Sequence, residues 1–230
     1  MKRFLCICLS ALFLFSVAAC SSAPSTEPST DYSAEISSTV KDGIDGFFLY
    51  ENEEAGFRVQ YPDFWVEISK KTTSNPEVIQ KAKDYLEINE AGLSEMLSVL
   101  DVCFLDMERS SSSFGANMNV ARNPNGIDAG DFSHSLTDLE KSKLQMEESY
   151  GEMFSDFAWD KEPMAREEGE HTYLFFSILS KIGESDVVFY IAMIENNDRV
   201  YTFTYVSKAE DATADLETVL GQFLGSVEFI

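Results

Sequence analysis

Residues 172–207, TYLFFSILSKIGESDVVFYIAMIENNDRVYTFTYVS, decide the fold of this chain. They contain three apolar segments, 173–179, 187–194 and 200–206, which are separated by short polar turns. Connections this short join antiparallel strands, because a parallel pair needs a crossover of about a dozen residues or more. The stretch therefore predicts three consecutive antiparallel strands.

The first two of these strands are apolar on both alternating faces; Phe175 and Phe176, for example, point to opposite sides. A sheet with one face in water would instead alternate apolar and polar residues. Both faces are therefore expected to be covered, and helices are the available cover. The third strand alternates aromatic residues with threonines, which favours a position nearer the sheet edge (Tyr201, Phe203 and Tyr205 against Thr202 and Thr204).

Helical spacing of apolar residues predicts the covering elements. One helix begins at Asn75 and Pro76, an N-cap followed by proline at the first helical position. The clearest amphipathic helix spans 135–150, and the last spans 212–224, with Gly225 placed to cap it. Short segments of apolar alternation predict further strands (47–49, 57–61, 66–68, 102–104, 117–120, 157–159 and 227–230). The expected fold class is α+β, a single α/β/α sandwich whose mostly antiparallel sheet is covered by helices on both faces.

A short motif near the start of this region resembles a known family. Residues 56–62, GFRVQYP, followed by Trp65, resemble the opening of PsbP-like domains. The resemblance covers 46–230 and implies an α/β/α sandwich used mainly for binding or accessory roles, without a catalytic set. Family members serve as photosystem subunits in chloroplasts and as extracytoplasmic lipoproteins in bacteria. Tyr61 and Trp65 are expected to be core residues.

The amino-terminal residues 1–19 have the layout of a secretory signal, with Lys2 and Arg3 ahead of an apolar run at 4–17. The run is shorter than the roughly 20 residues that a membrane span needs. Val17, Ala18, Ala19 and Cys20 resemble the lipobox of bacterial lipoproteins, which implies cleavage before Cys20 and lipid on its sulfur. A signal cleaved without lipid is the alternative.

Residues 20–45 are expected to form the lipidated cysteine and a flexible linker, since half of the residues at 21–40 are Ser or Thr. The organisation is then signal peptide 1–19, linker 20–45 and a PsbP-like globular domain 46–230. Lipid on Cys20 would hold the chain at the extracytoplasmic face of the cell membrane.

The formal net charge of −23 limits the possible partners. Such a charge repels the phosphates of nucleic acids and the headgroups of anionic lipids. Nucleic-acid binding is therefore excluded as a function, and the membrane contact is expected through the lipid alone. An envelope protein is a possible partner.

No catalytic, metal or cofactor site is predicted. Cys6 and Cys8 belong to the signal, so the mature chain keeps only Cys103 beside Cys20, and Cys103 is expected to be a small buried hydrophobe. A calcium loop counted from Asn123 fails, because its twelfth position holds His134 rather than an acid.

The leading functional hypothesis is a membrane-anchored extracytoplasmic lipoprotein that acts as a non-catalytic binding or accessory protein of the cell envelope. An envelope hydrolase with an unrecognised active site is the alternative. A substrate-capturing accessory to a transporter is a third possibility. A deep cleft that gathers His134 or His171 with an acid and a serine would favour the hydrolase.

Overall fold

The computed structural model describes residues 45–86, 88–110, 114–122, 139–154, 156–197 and 199–230, except for the side chains at 141, 145, 149, 152 and 153. The predicted signal peptide, Cys20 and the linker up to residue 44 lie outside the described residues. So do the loop that begins at Asn123 and His134.

The described residues form ten strands, four α-helices and two short 3-10 helices. The strands are β1 Phe47–Asn52, β2 Phe57–Pro62, β3 Trp65–Ile68, β4 Val102–Asp106, β5 Asn117–Arg122, β6 Ala158–Glu168, β7 His171–Ile182, β8 Ser185–Asn196, β9 Arg199–Lys208 and β10 Glu228–Phe229. The helices are α1 Pro76–Leu86, α2 Glu90–Val99, α3 Leu139–Met153 and α4 Ala214–Gly225, and the 3-10 helices are Thr72–Ser74 and Ala209–Asp211.

The strands form two sheets in which every hydrogen-bonded pair is antiparallel. The larger sheet has seven strands in the order β3-β4-β5-β9-β8-β7-β6, and the smaller has three in the order β1-β2-β10. The predicted α+β class with a mostly antiparallel sheet is confirmed. The three strands predicted in the opening stretch are β7, β8 and β9, paired consecutively.

The position predicted for the third of these strands is wrong. β9 lies in the interior of the seven-stranded sheet, between β5 and β8. Thr202 and Thr204 are only 4% and 3% exposed, because they pair with Ala121 and Asn119 of β5. Threonine is β-branched and fits a buried pleated surface as well as a wet one, so its polarity alone did not indicate an edge.

The true edge strand on that side is β6, of which the sequence indicated only the beginning. Most of β6 is exposed and charged, so it lacks the apolar alternation of a half-buried strand. Lys161 of β6 pairs with Glu217 of α4, and the neighbouring Glu162 pairs with Lys143 of α3 at 2.8 Å. Two register shifts and Pro163 interrupt its pairing with β7. Bulges and prolines are common at exposed sheet edges, where they prevent another strand from pairing.

The core is dominated by aromatic rings. Phe223 of α4 lies 5.7 Å from Phe104 and 6.2 Å from Phe203, measured between ring centroids. Tyr150 of α3 lies 6.0 Å from Phe189 of β8. Tyr61 and Trp65 are core residues, as predicted, and a second cluster packs α1 and α2 onto the β3–β4–β5 end of the sheet (Ile68, Val78, Ala82, Leu86, Ile88, Leu93, Met96, Leu97, Leu100, Cys103, Leu105 and Ala121).

The helix start predicted at Asn75 is confirmed, because its side-chain oxygen accepts a hydrogen bond of 3.0 Å from the backbone N–H of Glu77. Among the described residues, no helix combines the length and the apolar character that crossing a membrane requires.

Candidate functional site

A cleft of about 810 Å³ opens where the β6–β7 turn, the end of α4 and strand β10 meet. Residues from four separate stretches of the chain line it (Gln60, Gly169, Glu170, His171, Asn196, Gln222, Gly225, Ser226, Val227, Glu228 and Phe229). It borders β10 at one edge of the small sheet, whereas the chain leads into the other edge through β1.

One wall of the cleft depends on two glycines whose backbones touch. Gly169 in the β6–β7 turn has a φ of +62°, and a Cβ at this position would lie within 3.0 Å of the backbone of Gly225. Only glycine adopts this backbone freely and leaves room for such an approach. The turn can therefore lie directly on the end of α4.

Gly225 does not cap α4 in the way that the sequence predicted. It lies within the helix rather than beyond it in a left-handed conformation, and Ser226 ends the helix with a φ of −93°. The backbone N–H of Ser226 donates to the carbonyl of Gln222 at 3.1 Å. The small size of Gly225 instead admits the β6–β7 turn.

His171 lies at the start of β7 and holds the carboxyl-terminal strand. Its Nε2 lies 3.0 Å from the carbonyl oxygen of Val227, and its ring centroid lies 5.1 Å from that of Phe229. A carbonyl oxygen only accepts hydrogen bonds, so Nε2 carries the proton in this contact. His171 therefore positions β10 as one wall of the cleft.

Ser226 joins the end of α4 to β2. Its hydroxyl oxygen accepts from the backbone N–H of Gln60 at 2.9 Å, and it lies 2.8 Å from the carbonyl oxygen of Phe223. A serine nucleophile needs a general base within hydrogen-bond distance of its hydroxyl. Ser226 is bonded to backbone groups instead, so its described contacts are structural.

The cleft carries acidic groups and no unpaired cation among the residues that line it. Glu228 is engaged by Arg58, whose Nε donates to it at 2.9 Å. Glu170 is exposed and forms no ion pair within the described part of the chain. The carbonyl end of α4 adds a partial negative charge at the same wall.

A hydrolase would need a cleft that gathers a histidine, an acid and a serine, and this cleft contains all three residue types. It brings Glu170 and His171 together with Ser226 and Glu228, which no spacing in the sequence indicated, because these two stretches meet only in the tertiary structure. The described hydrogen bonds of His171 and Ser226 go to the main chain, and none links the two side chains. The arrangement is a cleft whose lining carries two carboxylates and three side-chain amides.

The remaining candidate residues lie elsewhere. Cys103 is fully buried in β4, and burial raises the pKa of its thiol to about 12, so it is an unreactive core residue as predicted. No group of three or more His, Cys, Asp or Glu side chains in the described ranges could hold a metal ion.

Comparisons with known proteins found similar folds but did not assign the chain to a family. No protein-family model matches the chain, and no curated protein matches it significantly. Similar solved structures include CyanoP, the PsbP of Synechocystis sp. PCC 6803, at 18% identity over 85% of this chain and 99% of CyanoP, with a TM-score of 0.43. LpqN of Mycobacterium tuberculosis, described as involved in cell envelope biogenesis, is 8% identical over 74% of this chain and 81% of LpqN, with a TM-score of 0.42.

A third similar structure comes from Bacteroides thetaiotaomicron VPI-5482, at 9% identity over 79% of this chain and with a TM-score of 0.45. The chain spans 48% of the length of that protein, or about half. All three likenesses concern the arrangement of strands and helices alone.

Proposed function

We propose that this protein is a membrane-anchored extracytoplasmic lipoprotein that binds a ligand or partner of the cell envelope through the cleft beside β10. The observation that carries the proposal is the cleft itself, about 810 Å³ in volume and lined by residues from four stretches of the chain. Its volume falls within the range of about 300–1,000 Å³ that is usual for ligand sites. The hydrogen bonds of Ser226 and His171 to the main chain support a non-catalytic role.

Anchoring is proposed from the amino-terminal sequence. The lipobox-like Val17, Ala18, Ala19 and Cys20 follow an apolar run, and a Ser- and Thr-rich segment follows Cys20. Lipid on Cys20 would tether the domain, and the acidic surface would keep it from lying on anionic headgroups. Metabolic labelling with an alkyne-tagged fatty acid tests this step: the wild-type chain is labelled and Cys20→Ala is not.

We also infer that helices cover both faces of the seven-stranded sheet, as an α/β/α sandwich over residues 46–230 requires. Adjacent residues of a strand point to opposite faces. Phe189 of β8 contacts Tyr150 of α3, whereas Phe203, which lies opposite Ala192 of β8 and therefore on the other face, contacts Phe223 of α4. These pairs support a position of α3 and α4 on opposite sides of the sheet.

Site-specific photo-crosslinking in the native host tests the binding function. A crosslinking residue at the exposed Gln222, in the cleft, is expected to capture a specific adduct. The matched control places the crosslinking residue at position 184 instead. Glu184 is exposed in the β7–β8 turn, at the other end of the strands. Equal capture at both positions, or none at Gln222, would contradict the proposal.

An envelope hydrolase is the second candidate, because the cleft does place His171, Ser226 and acids together. A fluorophosphonate probe, which labels activated serines, distinguishes the two functions. We expect no labelling of the full chain. Labelling that disappears in both Ser226→Ala and His171→Ala would establish the hydrolase instead.

A further inference from the structure

We propose that the cleft binds a neutral, polyhydroxylated ligand of the oligosaccharide class, an inference that rests on the binding function proposed above. Three properties of the lining lead to this class: its charge, its hydrogen-bonding groups and its aromatic side chain.

The charge of the cleft disfavours anionic ligands. No lysine or arginine is among the described residues that line it. The guanidinium of Arg58 nearby is engaged by Glu228, and Arg199, which lies opposite Asn196 in the β8–β9 pair, is outside the lining. Glu170 forms no ion pair within the described part of the chain. Together with the carbonyl end of α4 and the net charge of −23, these groups repel phosphates and carboxylates.

The hydrogen-bonding groups disfavour a ligand that only donates. The side-chain amides of Asn196 and Gln222 have no hydrogen-bond partner among the residues that the structure describes. Each amide offers both donors and acceptors. An ammonium group would satisfy the acceptors but would offer no partner to the amide N–H groups that it shields from water on binding, which costs affinity. A hydroxyl group both donates and accepts, so a ligand rich in hydroxyls matches both amides.

Phe229 supplies an apolar surface in the same lining. Its half-buried ring is held between His171, at 5.1 Å, and Tyr201, at 4.8 Å between centroids. A pyranose ring has an apolar C–H face and a rim of hydroxyl groups. An aromatic ring fixed by its neighbours, beside two amides that have no partner among the described residues, therefore fits a sugar ring better than a flexible polyamine or an anion.

The test compares oligomers of similar size and different charge by calorimetry. The probes are neutral N-acetylchitotetraose, cellotetraose and maltotetraose, the cationic glucosamine tetramer and the anionic tetragalacturonate. The full-length protein is kept in a detergent whose headgroup contains no sugar. We expect at least one neutral probe to bind with an affinity that does not change between 50 and 300 mM salt, and the anionic probe not to bind.

Variants locate the binding. Asn196→Ala and Gln222→Ala are each expected to weaken binding of the neutral probe by roughly fivefold, the usual effect of one lost hydrogen bond. Glu184→Ala, at the far turn, is the control and is expected to bind as the wild type does. Circular dichroism and the Tm confirm that each variant is folded.

Two results would overturn the ligand class: no binding of any neutral probe, or neutral binding that neither amide variant weakens. The ligand class would also be overturned if the cationic tetramer bound more tightly than the neutral probes and in a salt-sensitive way, but the proposed binding function would then still hold. Loss of the crosslink at Gln222 relative to Glu184 would instead overturn the binding function itself, so the two failures are distinguishable.

Discussion

The hydroxyl of Tyr205 in β9 donates a hydrogen bond of 2.7 Å to Oδ2 of Asp106 at the end of β4. Asp106 is fully buried, and its carboxylate also accepts from Nη1 of Arg109 at 3.1 Å and from the backbone N–H of Glu108 at 3.0 Å. Burial raises the pKa of Tyr205, which keeps the phenol protonated as the donor. This network ties the β4–β5 connection to the interior of the sheet.

The first prediction concerns the strength of this hydrogen bond. Tyr205→Phe is expected to lower the free energy of unfolding by about 1.5–3 kcal/mol, because the lost acceptor is a buried carboxylate. Tyr201→Phe is the matched control, since the hydroxyl of Tyr201 donates to the neutral backbone carbonyl of Ala55 at 2.9 Å. Its cost is expected to be about 0.5–1.5 kcal/mol. Urea denaturation measures both, and equal costs would contradict a charged acceptor.

The second prediction concerns the contact between the β6–β7 turn and α4. Gly169→Ala and Gly183→Ala both place a side chain at a positive φ, +62° and +60°. The alanine at 183 meets no described atom within 4 Å, so it is expected to cost only the backbone strain of about 1–2 kcal/mol. In Gly169→Ala the new Cβ also clashes with the backbone of Gly225. This variant should therefore lose clearly more unfolding free energy than Gly183→Ala. Equal losses would show that the turn can move away from the helix without cost.

The third prediction concerns pH. Burial raises the pKa of Glu67 above its ordinary value of 4.5, although the hydroxyl of Ser69 donates to it at 2.6 Å. The folded state therefore binds this proton more tightly than the unfolded state does. The resulting stabilisation is complete below about pH 4.5 and is lost as the pH rises through the raised pKa.

Glu67→Gln removes this titration and keeps a hydrogen-bond acceptor for Ser69. Relative to the wild type, the variant is expected to gain stability as the pH rises from 4 to 7.5. Urea denaturation at several pH values measures the difference in unfolding free energy. A difference that stays constant across this range, or that moves in favour of the wild type, would contradict the prediction.

The fourth prediction concerns the attachment of α3 to the edge strand. Nε1 of Trp159 donates to Oε1 of Glu147 at 2.8 Å, and Nζ of Lys143 lies 6.0 Å from the centroid of the Trp159 ring. Glu147→Ala is expected to lower the free energy of unfolding by about 1 kcal/mol, the typical net value of a hydrogen bond, because solvent near the half-buried Glu147 weakens the effect of its charge. Glu148→Ala, the exposed neighbour, is expected to change it by less than about 0.5 kcal/mol.

The parts of the fold that were predicted correctly depend on local patterns. Apolar runs with short turns located β7, β8 and β9, and Asn75 followed by proline located the start of α1. β6 was mostly missed, because an exposed edge strand has no buried face to impose alternation. The central position of β9 was missed because strand order depends on long-range pairing with β5.

The candidate site could not be predicted from the sequence, because it also depends on contacts between residues far apart in the chain. His171 was considered in the sequence, but its partner is the backbone carbonyl of Val227. Every residue has a backbone carbonyl, so no residue pattern could identify this partner. Gly225 was correctly located at the end of α4, but its role follows from Gly169, 56 residues earlier in the chain. Asn196 and Gln222 carried no signal, because isolated amides occur on most protein surfaces.

The sequence by itself determined the strands of the central meander, most of the helices and the strongly acidic net charge. These properties depend on local periodicity and composition, which each segment carries alone. Only the tertiary structure decided which strand is central, and only it brought the β6–β7 turn, the end of α4 and β10 together around the cleft. Such contacts join residues far apart in the chain, and their geometry is set by packing that no single segment encodes.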